Sequence, residues 1–210
     1  MKLQFNCDIK VLTAKDESPL FRAVDVDAEE VLKLSETLEY GDGNSYTASD
    51  GRLERLTAVG RIEREAFAEL PVQAGWSFGN GKKMNGVEWH KSSEVVIAAT
   101  DCVLILGDVK DIRDDVYDSA RAIALFLRKG EAVELFAGTL HLAPLATGDK
   151  FAAAIVLPHG TNAPLQGGIC GTLRAVNKWL LVHPENEKGI RLGGKIGVSG
   201  TNVTLTGYED

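Results

Sequence analysis

Residues 86–94 read GVEWHKSSE and residues 130–144 read GEAVELFAGTLHLAP. In an extended strand, alternate side chains share a face, so Glu88 and His90 project together. The turn of Lys91, Ser92 and Ser93 then lets Glu94 return beside them on the next strand. In the second stretch Gly138 permits a tight bend, and His141 follows on a new strand. Two carboxylates and two imidazoles, Glu88, Glu94, His90 and His141, thus become available to one centre.

Outward from these stretches, short apolar or alternating runs broken by Gly, Asn and Pro occupy 74–78, 85–90, 94–106, 122–127, 132–136, 139–142, 151–157, 178–182 and 195–206. Many short strands with regular turns predict a β-sandwich or barrel. Before them, one segment reads as helix: Asp27, Glu29 and Glu30 open it, and Val31, Leu34 and Leu38 recur at helical spacing up to Gly41. The expectation is a mainly all-β chain: an N-terminal arm of residues 1–60 with one helix, packed on a barrel of residues 61–210.

The chain has 210 residues, 44% hydrophobic and 25% charged, with its 22 Gly and 6 Pro in no repeating order. That composition excludes collagen, coiled coil and disorder. A net charge of −7 and a pI of about 5.2 come without any dense Lys/Arg run, so the attraction that drives phosphate-backbone binding is missing and no nucleic-acid partner is expected. No apolar run reaches the roughly 18 residues needed to span a bilayer. The opening MKLQFNCDIK lacks the apolar stretch of a signal peptide, and the expectation is a cytoplasmic protein with no membrane contact. Cys7, Cys102 and Cys170 lie far apart without CxxC spacing and read as buried reduced thiols.

The spacing of Gly86, Glu88, His90, Glu94 and Gly107 resembles the first cupin motif, and that of Gly130, Phe136, Gly138 and His141 the second. The stretches KMNGVEWHKSSEV, VELFAGTLHLAP, IVLPHGTN and NKWLLVHPE resemble a bacterial cupin-like family whose name records only that its function is unknown. A more distant likeness runs to ureidoglycolate lyases and sugar-isomerase cupins. The resemblance implies a double-stranded β-helix, or jelly roll, with Glu88, His90, Glu94 and His141 as metal ligands, and a homodimer joined through strand edges. Two positions depart from the pattern. Glu88 stands where most cupins have their first histidine, and Leu142 stands where ureidoglycolate lyases tend to carry another.

Two imidazoles and two carboxylates suit Mn²⁺, Fe²⁺, Zn²⁺ or Ni²⁺, and the lack of thiolate disfavours Cu(I). Four protein ligands on an octahedral ion leave two positions, which adjacent oxygens of a diol or hydroxycarbonyl would fill. The expected reaction is aldose–ketose isomerisation of a sugar or an acidic sugar (sulfo-, phospho- or uronate). The alternatives are a lyase acting on a hydroxy or ureido acid and a non-catalytic sugar-binding cupin. Glu88 or Glu94 would move the proton, and His159 in PHGTN is a further candidate shuttle. Lys83 and Asn85 before the ligand strand, and Lys178 with Asn177 after it, are candidate substrate contacts, and Trp179 is a sugar platform, core or subunit interface. Glu134 reads as facing outward, His183 as a turn residue. The acidic run Asp111, Asp114, Asp115 and Asp118 lacks the glycine and closing glutamate of an EF-hand, and GNGKKMNG lacks the order of a phosphate loop.

Overall fold

A computed structural model of the protein describes residues 2–41 and 43–209. Two sheets face each other. One runs Phe21–Ala23, Ala132–Leu135, Glu94–Ala98, Phe151–Pro158, Val72–Gly79 and Ser45–Thr47, antiparallel throughout. The other runs Thr139–Leu140, Cys102–Asp108, Ile123–Leu127 and Lys10–Thr13, with Leu145–Ala146 also on Cys102–Asp108. A smaller sheet joins Gly86–Trp89 to Lys178–Val182, which also pairs with Leu173–Ala175 and Lys195–Ile196. The two facing sheets make a mainly β jelly roll.

Both faces of the main strands are buried, and the side-chain alternation shows how. Val96 and Ala98 enter the core between the two sheets with Leu104, Leu106, Leu125 and Phe151. Val95 and Ile97, from the same strand, face a second cluster made with Val31, Val59, Ile62 and Trp76. Val103 and Ile105 face a third cluster with Val87, Leu181, Val198 and Leu205. A strand buried on both faces reads as an unbroken apolar run. The run at 94–106 is therefore two strands, in different sheets, divided by a bend at 99–101.

The arm differs from its expected form in three respects. Its first helix is shorter, Glu29–Ser35, with Leu34 and Leu38 still packing on the second cluster. A second helix, Thr57–Phe67, lies between the one expected helix and the first expected strand run, where no helix was expected. It buries Ala58, Val59, Ile62 and Phe67 at helical spacing and ends at Ala68 in the left-handed region, but only a few large apolar residues mark that face. Residues 1–60 are also woven into the barrel rather than laid on it: Lys10–Thr13 joins one sheet, Phe21–Ala23 and Ser45–Thr47 edge the other, and residue 60 lies inside the second helix. The run at 195–206 is likewise not one strand. It holds Lys195–Ile196 and Val198–Ser199, before Leu205–Glu209 pairs with Lys2–Phe5 and ties the two ends of the chain together.

Ile62, 1% exposed between helix and sheet, gives a test of this layer. Ile62→Ala should lose about 2–4 kcal/mol of stability in chemical denaturation and leave the barrel's chemistry intact. Among the described residues no helix is long and apolar enough to cross a membrane.

Candidate metal centre

His141 is carried to Glu88 by the backbone. The two residues form a bridge, with the Glu88 N–H donating to His141 O at 2.6 Å and the His141 N–H donating to Glu88 O at 2.9 Å. Opposed residues of such a bridge share a face, and His90, two residues on from Glu88, shares it too. Glu94 opens its strand with the parity of Val96 and Ala98, which point between the sheets.

The four side chains therefore meet. Glu94 Oε2 lies 3.4 Å from His90 Nε2 and 3.3 Å from His141 Nε2, and Glu88 Oε1 lies 3.9 and 4.0 Å from the same two atoms. One donor atom from each of Glu88, His90 and His141 falls within 4.8 Å of the others. Each imidazole is oriented from behind by a carbonyl: His90 Nδ1 donates to Asn177 O at 2.6 Å, and His141 Nδ1 to Thr139 O at 2.9 Å. A carbonyl only accepts, so Nδ1 carries the proton and Nε2 is turned inward. Both Nε2 atoms are buried and, apart from the Glu94 and Glu88 carboxylates they face, have no hydrogen-bond partner among the described residues.

An unpartnered buried nitrogen is costly, and two of them beside two carboxylates fit a divalent cation, with the outer ring nitrogens held as metal-binding histidines require. The mixture of nitrogen and oxygen donors suits Mn²⁺, Fe²⁺, Zn²⁺ or Ni²⁺. The cysteines stand apart from this group. Of the three cysteines expected to be buried, Cys102 alone is, between the sheets, where desolvation pushes its thiol up to about 12; Cys7 is half-buried and Cys170 exposed.

The electrostatics match. Burial opposes ionisation of Glu88, but the Lys178 ammonium, 2.5 Å from Oε2, and then His141 and His90 outweigh it and hold the carboxyl below its ordinary range. Glu94 is likewise held well below the ordinary carboxylate range, burial being overcome chiefly by His141. Burial works against the His141 cation, yet Glu94 and then Glu88 raise its pKa to about 9.

The sign of the resulting pH dependence follows. The folded pKa of His141 lies above the unfolded value of roughly 6.5, so in the metal-free protein its proton stabilises the fold below that pH, and this contribution disappears as pH rises through about 9. A metal must displace that proton. Divalent-cation affinity should rise about tenfold per pH unit between pH ~7 and ~9 and then level. Calorimetry in buffers of different ionisation enthalpy should show about one proton released per ion bound at neutral pH; a pH-independent affinity would contradict this arrangement.

The centre opens into a cavity of about 140 Å³. Leu104, Leu142 and Ile155 supply an apolar wall, while Tyr46, Ser77 and Lys178 line it with polar groups beside Glu88, Glu94 and His141. Desolvation of its hydroxyl within the cavity mouth, then the Glu94 and Glu88 carboxylates, push the Tyr46 phenol well above its ordinary range, though the residue as a whole is exposed.

Of the candidate substrate contacts, Lys178 lines this cavity. Lys83 and Asn85 do not. Lys83 is exposed, 3.6 Å from Glu185, and Asn85, at φ 60°, is tied by two hydrogen bonds to Asn202. His159 is exposed on the turn after Phe151–Pro158, its N–H on Pro71 O. Asn177, at φ 57°, acts through its backbone on His90. Trp179 stacks on Trp89 at 6.3 Å; alternation places both opposite the face that carries Glu88, His90 and Lys178. Glu134 faces away from the inter-sheet core and pairs with Arg22 at 2.7 Å. His183 is bonded within its turn, Nδ1 accepting from the Glu185 N–H. In the acidic run, Asp111 pairs with Arg121, and Asp118 caps a short 3₁₀ turn.

Sequence reading missed Tyr46 and Ser77. They face each other across the pair of strands Ser45–Thr47 and Val72–Gly79, and no local pattern near either one announces a site.

Residues 21–203 match the model of a family described as Domain of unknown function (DUF4867). No curated protein matches the sequence. Among solved structures, the capsular polysaccharide assembling protein CapF from Staphylococcus aureus is 13% identical, covering 54% of this chain and 27% of that one with a TM-score of 0.35. Salicylate 1,2-dioxygenase from Pseudoaminobacter salicylatoxidans is 8% identical over 62% of this chain and 30% of its own, TM-score 0.36. An oxalate oxidase is 16% identical over 56% and 51%, TM-score 0.36. The chain spans about half or less of each of these proteins.

Proposed function

We propose that this chain, which belongs to the DUF4867 family, is a metal-dependent cupin enzyme that isomerises an aldose to a ketose, with an acidic sugar as the preferred substrate. The observation that carries this reading is the pair of buried, unbonded imidazole nitrogens facing two carboxylates at the floor of a small cavity. A divalent ion bound there supplies Lewis-acid polarisation of a carbonyl and lowers the pKa of an adjacent hydroxyl.

The chain's own groups do the rest. His90, His141 and Glu94 form the floor on which two neighbouring substrate oxygens are oriented. Glu88, steadied through Oε2 by Lys178, is ionised and takes the proton from C2 of the open-chain aldose. It returns that proton to C1 while the hydroxyl proton of O2 passes to O1, so the carbonyl moves from C1 to C2 and no redox cofactor is consumed. The Lys178 ammonium in the same wall supports an anionic substituent on the sugar, and the apolar wall keeps bulk water away from the proton in transit.

The test is elemental analysis of the purified protein followed by a screen of neutral, phospho-, sulfo- and uronate aldoses for ketose formation. Stoichiometric divalent metal with turnover of one class is expected, and Glu88→Gln should lower kcat by about 10²–10⁴. A metal-free preparation with full activity would overturn the reading. Urea and glyoxylate from ureidoglycolate would assign a lyase instead, and sugar binding without any turnover a binding cupin.

A further inference from the structure

Two members of the cavity's polar wall, Tyr46 and Ser77, are used by neither the metal centre nor the proton transfer. Tyr46 lies on the edge strand Ser45–Thr47, contributed by the N-terminal arm to the sheet that also carries Glu94–Ala98, and lines the cavity. It is 44% exposed, as a residue at the mouth must be, and its cross-strand partner Ser77, 5% exposed, lines the cavity below it.

The phenol is held in place. Asn162 Nδ2 donates to its hydroxyl oxygen at 3.0 Å, from a residue at φ 70° on the turn that follows Phe151–Pro158. Lys178 Nζ lies 5.9 Å from the centre of its ring, within the range in which a cation is attracted to the aromatic face. Because Asn162 is the donor, the hydroxyl's own proton is unspent in that bond. A tyrosine hydroxyl both donates and accepts, and the oxygens of a bound sugar would be the acceptors in reach.

We propose that Tyr46 is a substrate-positioning residue, whose hydroxyl donates a hydrogen bond to a sugar oxygen at the cavity mouth and thereby makes the arm part of the substrate site. This rests on the isomerase reading for the identity of the substrate, though not for the geometry. Positioning of this kind affects rate as well as affinity, because a misplaced carbon is not presented to the base.

The experiment compares wild type with Tyr46→Phe, which keeps the ring and removes only the oxygen. Mn²⁺-loaded protein would be titrated calorimetrically with xylitol, a polyol with adjacent hydroxyls that cannot isomerise. Metal content, thermal midpoint and turnover of the best aldose would be measured alongside. Tyr46→Phe should keep its metal and its midpoint, bind xylitol about tenfold more weakly, and lose at least as much in kcat/KM. Asn162→Ala, which frees the phenol to swing, should show the same direction of change. The xylitol affinity is the readout that a purely structural role would not move. A wild-type affinity for xylitol that Tyr46→Phe leaves within twofold overturns this inference alone. Wild-type protein that holds metal but neither binds xylitol nor turns over any aldose overturns the isomerase reading, and this inference with it.

Discussion

His141→Ala should purify with less than about a tenth of an equivalent of divalent metal, where wild type holds about one, and should show no isomerase turnover. Removing a group that merely orients a ligand typically lowers metal affinity by about 10–100-fold, and His141 is placed as a ligand itself, so at least about a hundredfold loss is expected. His141 Nε2 stands 3.3 Å from Glu94 and 4.0 Å from Glu88, and without it the two carboxylates face each other across His90 alone. Stability separates this from general damage. An ion that binds only the folded state adds about 2.7 kcal/mol at a hundred times its dissociation constant. Wild type should therefore melt at a higher temperature when metal is added, and His141→Ala should not. His159→Ala is the matched control: this histidine is exposed and outside the cavity, and its loss should leave metal content unchanged. Full metal occupancy in His141→Ala would remove the centre described above.

Gly75→Ala is expected to be among the most damaging single-methyl additions in the chain. A Cβ at this position would lie 1.8 Å from Thr47 O and 2.6 Å from Ala48 C. Both are backbone atoms of the neighbouring edge strand and its exit, so no side-chain rotation relieves the clash. The Ser45–Thr47 strand would have to leave the sheet, taking Tyr46 from the cavity and putting at risk the bonds that fasten the following turn, Asp50 N–H to Ala74 O at 2.7 Å and Trp76 Nε1–H to Asp50 at 3.2 Å. A loss of about 4 kcal/mol is expected, at the top of the range for single substitutions. For a chain of this size that corresponds to roughly 8–16 °C in thermal midpoint. The four metal ligands lie on other strands, so the variant that does fold should keep its metal while losing xylitol affinity. An unchanged midpoint would show that the edge strand is not seated as described.

The centre was more legible than the fold around it. Glu88 and His90 share a face because a strand alternates, and Glu94 returns beside them because three residues suffice to turn; both facts are local and sit in GVEWHKSSE. His141 needed the second stretch and its glycine at 138. The strands of the barrel were legible as apolar runs, though the run at 94–106 concealed a change of sheet, because burial on both faces erases the alternation that would have marked its bend. The second helix was missed for the opposite reason: its buried face holds few large residues, and Gly60 lowers the helix propensity of its first turns. Lys83 and Asn85 stand immediately before the ligand strand yet lie outside the cavity, since proximity along a strand end does not fix the direction in which a turn departs.

The chain's own order of residues determined that this protein is mainly β, a sandwich or barrel, and that Glu88 and His90 share a face with Glu94 turned back beside them, because strand parity and turn length depend only on neighbours. What the tertiary structure alone decided is the company these residues keep: the bridge that seats His141 on Glu88, the Asn177 carbonyl behind His90, the Lys178 ammonium against Glu88, and the tyrosine brought in by the arm. Those contacts join residues remote in sequence, and they are set by how three apolar layers close at once, a condition that no single segment carries.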